Sequence, residues 1–180
     1  MTKRPVQIIS RKDRLGYYLT GFVDGEGSFN VSLRRKPDYK IGWQVVLCFN
    51  VSQRDITMLE KLREILGCGI IKTRKRDGLY MYEVTSTKDI IEKVIPYFSR
   101  FNFLSKNKTD NFAIFIKIAR LVHKGNHRKE STIKEILSLR ENLNLGKGRK
   151  RKYSIKDIFS NKSESPETIR RTRQSFGDKT

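Results

Sequence analysis

A chain of 180 residues with 39 Lys and Arg against 19 Asp and Glu carries a formal charge of +20, a field that suits a polyanion because each neutralised phosphate releases condensed counterions. Nucleic acid is the leading partner, although a basic membrane-surface protein or a ribosomal protein shares the composition. Cys48 and Cys68 lack CxxC spacing and His123 and His127 flank Gly125 with no Cys or acid nearby, so neither a disulfide framework nor a zinc site is expected, and no apolar run reaches membrane-spanning length.

In chain order, Leu15, Tyr18, Leu19, Phe22 and Val23 fall at helical spacing from Asp13 to Val23, and Gly25 and Gly27 are expected to end that helix. Phe29, Val31 and Leu33 then alternate with Asn30, Ser32 and Arg34, a half-buried strand. After the turn at Lys36-Pro37-Asp38, alternation resumes from Gln44 to Ser52 as a hairpin partner. Asp55 to Leu66 reads as a helix closed by Gly67. A second hairpin follows, Ile71 to Arg76 and Leu79 to Thr85 about the Asp77-Gly78 turn, with the outward parity of the return strand left open. Lys88 to Phe98 is helical, capped by Ser86 or Thr87.

The order αββαββα predicts an α+β fold, an antiparallel sheet with helices on one face and the other face free. Two further helices, Ser105 to Val122 and Ser131 to Leu143, are expected to pack on the core. Gly146 to Lys152 is a basic loop, read as a phosphate clamp through Lys147, Arg149, Lys150, Arg151 and Lys152. Residues 1–160 are read as one domain and 161–180 as a polar, basic tail, in which Ser165-Pro166-Glu167 could open a short helix. The expected protein is intracellular.

The free sheet face carries Asn30, Ser32, Arg34, Gln44, Asn50, Lys72, Arg74 and Arg76. Amides, hydroxyls and guanidinium groups read base edges in a major groove, and a two-stranded ribbon fits that groove. An ordinary solvated face would also be polar. The bias toward cationic and bidentate types, without an acid among the eight, favours contact with double-stranded DNA.

The segment Leu19-Thr20-Gly21-Phe22-Val23-Asp24-Gly25-Glu26-Gly27 is odd for a plain core helix. Asp24 and Glu26 oppose the helix macrodipole, and Gly21 and Gly25 weaken the helix unless another backbone approaches closely. Both oddities vanish if two such helices meet at the glycines and bring their acidic ends together, making an oxygen-ligand site for a divalent metal such as magnesium.

This nonapeptide resembles the LAGLIDADG motif, and Phe22-Val23-Asp24-Gly25-Glu26-Gly27-Ser28-Phe29 is similar to its commonest extended form. The αββαββα order with trailing helices, which is the family's fold with its saddle-shaped sheet, would span about residues 13 to 160. The resemblance implies that Glu26 binds the catalytic metal together with the Gly27 carbonyl, and that Asp24 is structural. Gln53, in Asn50-Val51-Ser52-Gln53, resembles the glutamine that orients active-site water. Within Leu104-Ser105-Lys106-Asn107-Lys108, Lys108 matches the pocket lysine, with Lys106 as the fallback. A second basic pocket residue of some relatives has no clear match.

Single-motif members of that family are homodimeric, intron-encoded homing endonucleases that cut near-palindromic DNA sites in a metal-dependent reaction, in organelles or prokaryotic cytoplasm. The resemblance implies the same here. An intron-RNA maturase or a non-cleaving DNA-binding protein could use the same fold.

Overall fold

The computed structural model describes residues 9–39, 41–125, 129–145, 151–153 and 155–159. The chain forms two compact units, Met1–Leu145 and Gly146–Thr180. In the second, α7 spans Ile155–Phe159 and the Lys152 ammonium lies over the Tyr153 ring, 5.4 Å from its centroid. The expected helix from Ser165 to Arg173 and the 161–180 tail lie outside the described residues.

The first unit begins with α1, Arg11–Glu26, whose start is fixed by Ser10: the hydroxyl accepts from the Asp13 N–H at 3.0 Å and satisfies an otherwise orphaned helix donor. The helix runs past the expected stop at Gly25. Gly27 is extended, with its N–H still donating to the Val23 carbonyl, so the chain passes from the last helical residue straight into a strand. That strand, β1 (Gly27–Arg35), pairs antiparallel with β2 (Trp43–Gln53) in the register Phe29↔Phe49 and Ser32↔Val46. Alternation did its work here: Phe29, Val31, Leu33, Val45, Leu47, Phe49 and Val51 are all buried.

Helix α2, Thr57–Leu66, is closed by Gly67 at φ +59°, a left-handed conformation for which glycine carries no Cβ penalty. Its start is tied by the Asp55 carboxylate, which accepts from the Thr57 N–H at 2.9 Å. Strands β3 (Ile70–Thr73) and β4 (Tyr80–Val84) complete a four-stranded sheet of order β1-β2-β4-β3, antiparallel throughout. The expected third strand to Arg76 is corrected: it ends at Thr73. The Arg74 N–H still donates across the hairpin to the Leu79 carbonyl at 2.7 Å, but the Arg74 carbonyl accepts from the Gly78 N–H at 2.9 Å and Asp77 draws in both Arg74 and Arg76 (2.8 and 3.3 Å), so local turn bonds take over beyond that point. The open parity of β4 is settled by burial of Tyr82 and Val84, which places Met81 and Glu83 on the polar face.

The next helical segment runs from α3 (Thr87–Asp89) through a π-helical turn (Ile90–Val94) to α4 (Ile95–Phe101). The wide turn immediately precedes Pro96, which lacks an N–H and would clash with a carbonyl in a regular helix. Ser86 is the cap. Helices α5 (Lys106–His123) and α6 (Glu130–Glu141) follow.

The helices cover the apolar face of the sheet around one aromatic cluster. Phe29 lies 4.9 to 6.1 Å from Phe49, Phe98, Phe103, Phe112 and Phe115, so strands β1 and β2 are joined to α4 and α5 through a single ring. The outer edge of β1 is also held. Buried Arg140 donates to the Val31 carbonyl at 3.1 Å, and the Asn144 amide donates to the Phe29 carbonyl at 2.7 Å. Asn144 is positioned in turn by Asn111, whose side-chain oxygen accepts from its N–H at 2.6 Å.

Candidate functional site

The site forms where α1 ends, β1 begins and α5 starts. Glu26 is the last residue of α1 and is exposed; Gly27, the first of β1, is buried. A Cβ on Gly27 would lie 2.5 Å from the Val23 side chain and 2.7 Å from its carbonyl oxygen, so no larger residue fits this junction unless the chain moves.

Lys108 reaches this point from the first turn of α5. That helix begins at Ser105, whose hydroxyl accepts from the Lys108 N–H at 3.3 Å. The Lys108 ammonium donates to the Gly27 carbonyl. Burial pushes its pKa down, opposed by the carboxylates of Asp24 and Glu26. The fallback lysine behaves differently: Lys106 is exposed and pairs with Asp110 at 2.8 Å. The geometry therefore gathers Glu26, Gly27 and Lys108 and leaves Lys106 outside.

Asp24 holds the two helices together. Its carboxylate accepts from the Leu104 and Ser105 N–H groups (3.2 and 2.9 Å) and from the Ser105 hydroxyl. Burial works to raise its pKa, yet these hydrogen bonds and nearby Lys108 outweigh that and leave it below the ordinary carboxylate value. A carboxylate at the C-terminal end of one helix, unfavourable there, caps the N-terminal end of another.

Gln53 closes β2, and its side-chain oxygen accepts from the Arg54 N–H at 2.9 Å. The donor set suits a hard divalent cation only in part. Among the described residues no three His, Cys, Asp or Glu side chains cluster. Glu26 and the Gly27 carbonyl, which here accepts from the Lys108 ammonium that a bound cation would have to displace, are two oxygen donors, a set compatible with magnesium, which commonly takes one or two carboxylates with water and phosphate.

The polar sheet face carries Asn30, Ser32, Arg34, Gln44, Asn50 and Lys72 as the alternation predicts. Arg74 and Arg76 lie beyond it in the Asp77 turn. Arg151 and Lys152 have irregular backbone, and Lys147, Arg149 and Lys150 lie outside the described residues. Sequence reasoning missed Ser28 and Glu83 on this face. The register Ser28↔Asn50↔Glu83 puts them in one row, and an anchored parity for β4 is the signal that would have found Glu83.

Gly21 and Gly25 are exposed on α1, where an added Cβ would meet nothing within 4 Å. Tyr17 and Tyr18 beside them are 52% and 65% exposed. The two cysteines are unpaired, and burial pushes the Cys48 thiol up to about 12. No helix among the described residues is long and apolar enough to cross a membrane.

The family model described as LAGLIDADG endonuclease matches residues 19–119, from the second half of α1 through the sheet and into the last turns of α5. The chain belongs to the LAGLIDADG endonuclease family. It is similar to probable intron-encoded endonuclease 2 of Neurospora crassa, with 30% identity over 145 residues covering 79% of this chain and 32% of that protein. The chain thus spans about a third of that relative's length.

Among solved structures, this LAGLIDADG chain is similar to I-SmaMI bound to uncleaved DNA target in the presence of calcium ions, with TM-score 0.71, 33% identity, and coverage of 81% of this chain and 49% of that one. It is also similar to the homing endonuclease I-TnaI, with TM-score 0.68, 27% identity, and coverage of 89% and 96%. The α+β architecture read from the sequence is that of these LAGLIDADG structures.

Proposed function

We propose that the chain is a site-specific DNA endonuclease that makes metal-dependent double-strand cuts as a homodimer. The observation that carries this reading is the convergence of Glu26, the Gly27 carbonyl and the Lys108 ammonium at one end of a polar sheet face. The +20 charge supports a nucleic-acid partner. The DNA-bound relative supports a duplex.

In this reading the sheet face lies in the major groove, with Asn30, Ser32, Arg34, Gln44, Asn50 and Lys72 reaching base edges. Arg74, Arg76 and the basic segment Lys147 to Lys152 contact phosphates. Glu26 and the Gly27 carbonyl hold a divalent ion, Mg2+, which when bound supplies Lewis-acid stabilisation of phosphoryl oxygens and an activated water. Lys108 places a cation, partly withdrawn from solvent, beside the scissile phosphate, where it stabilises developing negative charge or passes a proton. Gln53 turns from Arg54 to orient water.

Helix α1 supports the dimer. Gly21 and Gly25 weaken the helix without serving any close contact among the described residues, and two copies packed there bring two Glu26 ends together. The setting we propose is a mobile intron of an organelle or prokaryote, in line with the names of the intron-encoded relatives.

The test is cleavage of a randomised duplex library with magnesium by the wild type and by Glu26→Gln. Specific double-strand cuts that vanish in the variant establish the endonuclease. Tight binding without cutting by either protein overturns it and points to a maturase or repressor, to be tested on intron RNA.

A further inference from the structure

Glu83 is an acid in the middle of a basic, polar sheet face. It sits opposite Asn50 on β2 and Ile70 on β3, with 19% of its side chain exposed. Its carboxylate is held from two sides: one oxygen accepts from the Lys72 ammonium at 2.6 Å, the other from the Cys48 thiol at 3.6 Å. Cys48 in turn accepts from the Asn50 amide at 3.7 Å. Lys72 is the outer partner, 52% exposed.

A surface ion pair of this kind adds little stability, and a carboxylate facing a duplex repels phosphate. Such a group is useful on a DNA-reading face where it accepts from a base amine. A cytosine N4 amine and its partner guanine's O6 lie side by side in the major groove, because they are bonded to each other; guanine adds N7 as a second acceptor. An ammonium beside a carboxylate presents the complementary order, donor next to acceptor.

We propose that Lys72 and Glu83 together read one G·C base pair, Glu83 accepting from cytosine N4 and Lys72 donating to guanine. This inference rests on the DNA-recognition reading above and names a specificity element within it. Glu83 is then a discriminator as much as a binder. Guanine and thymine present only acceptors or a methyl group to it, and an acceptor facing a fixed carboxylate leaves both unpaired; adenine N6 also donates, but its partner thymine offers Lys72 the single acceptor O4 where guanine offers both O6 and N7.

The experiment selects bound duplexes from a randomised library with calcium, using the full chain, Glu83→Gln and Lys72→Met, with thermal melts of all three. The wild type should prefer G·C about tenfold or more at one position per half-site, as expected for one good bidentate contact. Both variants should relax that same position to below about threefold and leave the others in place. Loss of charge alone would shift all sequences uniformly. Profiles that superpose on the wild type, a uniform shift, or relaxation at a position that is not G·C overturns the assignment while leaving DNA recognition standing. A wild type that selects no sequence overturns the recognition reading and this assignment with it.

Discussion

The two faces of α1 are built on opposite terms. The inward face buries Leu19 and Val23 completely, and Gly16 is a glycine because Phe101 fills its place: a Cβ there would lie 2.3 Å from the ring. The outward face carries Gly21 and Gly25 with open space before them and two exposed tyrosines. Glycine inside a helix costs about 1 kcal/mol relative to alanine. On one face that cost is offset by a contact within the chain; on the other no described residue offsets it, and the proposed dimer would.

The largest expected effect comes from forcing the inward face. Gly16→Leu should destabilise the protein by about 3 kcal/mol, because the ring cannot yield without opening the α1–α4 contact; an unchanged melting temperature would show that Phe101 moves freely. On the outward face Gly25→Leu should do the reverse, leaving the melt of a single copy unchanged or higher while weakening self-association by about 2 kcal/mol, roughly thirtyfold. Sedimentation equilibrium reads this directly, and an unaltered association constant would remove the glycine face from the dimer.

Asp24 sits between these extremes. Asp24→Asn should cost about 1 kcal/mol at neutral pH, the usual scale for a helix cap after allowing for solvent. Its pKa is depressed in the folded state, so its contribution is complete above the ordinary carboxylate pKa and is lost as pH falls through the lowered value. Melts of the two proteins should converge in acid, and a difference that stayed constant with pH would show that Asn caps α5 through shape alone. The smallest effect belongs to Thr20, buried on the inward side, whose hydroxyl has no hydrogen-bond partner among the described residues. Thr20→Val should raise stability by roughly 0.5–1 kcal/mol in a denaturant titration.

What was legible in the sequence was whatever one side chain or one period decides. The two-residue alternation from Phe29 and from Val45 fixed β1, β2 and their buried faces, and Gly67 marked the end of α2. The end of β3 was not legible, because Arg74 and Arg76 satisfy the alternation as well as they satisfy Asp77, and only the folded turn shows which bond forms. The parity of β4 needed a partner strand, so Glu83 stayed hidden. At the candidate site, the motif points to Glu26 and Gly27 and the resemblance prefers Lys108 to Lys106, but which lysine the first turn of α5 aims at β1 is seen only in the fold. The cap residue Ser105 that sets this aim is itself held by Asp24, some eighty residues earlier in the chain.

Strand β1 is clamped along its outer edge by Arg140 and Asn144, which bond to the carbonyls of Val31 and Phe29. Backbone carbonyls are the same whatever residue occupies the strand. The side chains of Asn30, Ser32 and Arg34, on the polar face, take no part in these two edge bonds. If this face reads DNA as proposed, a lineage that must follow a changing target can alter these letters while the edge bonds to the backbone stay in place, and a laboratory library can start from the same three positions.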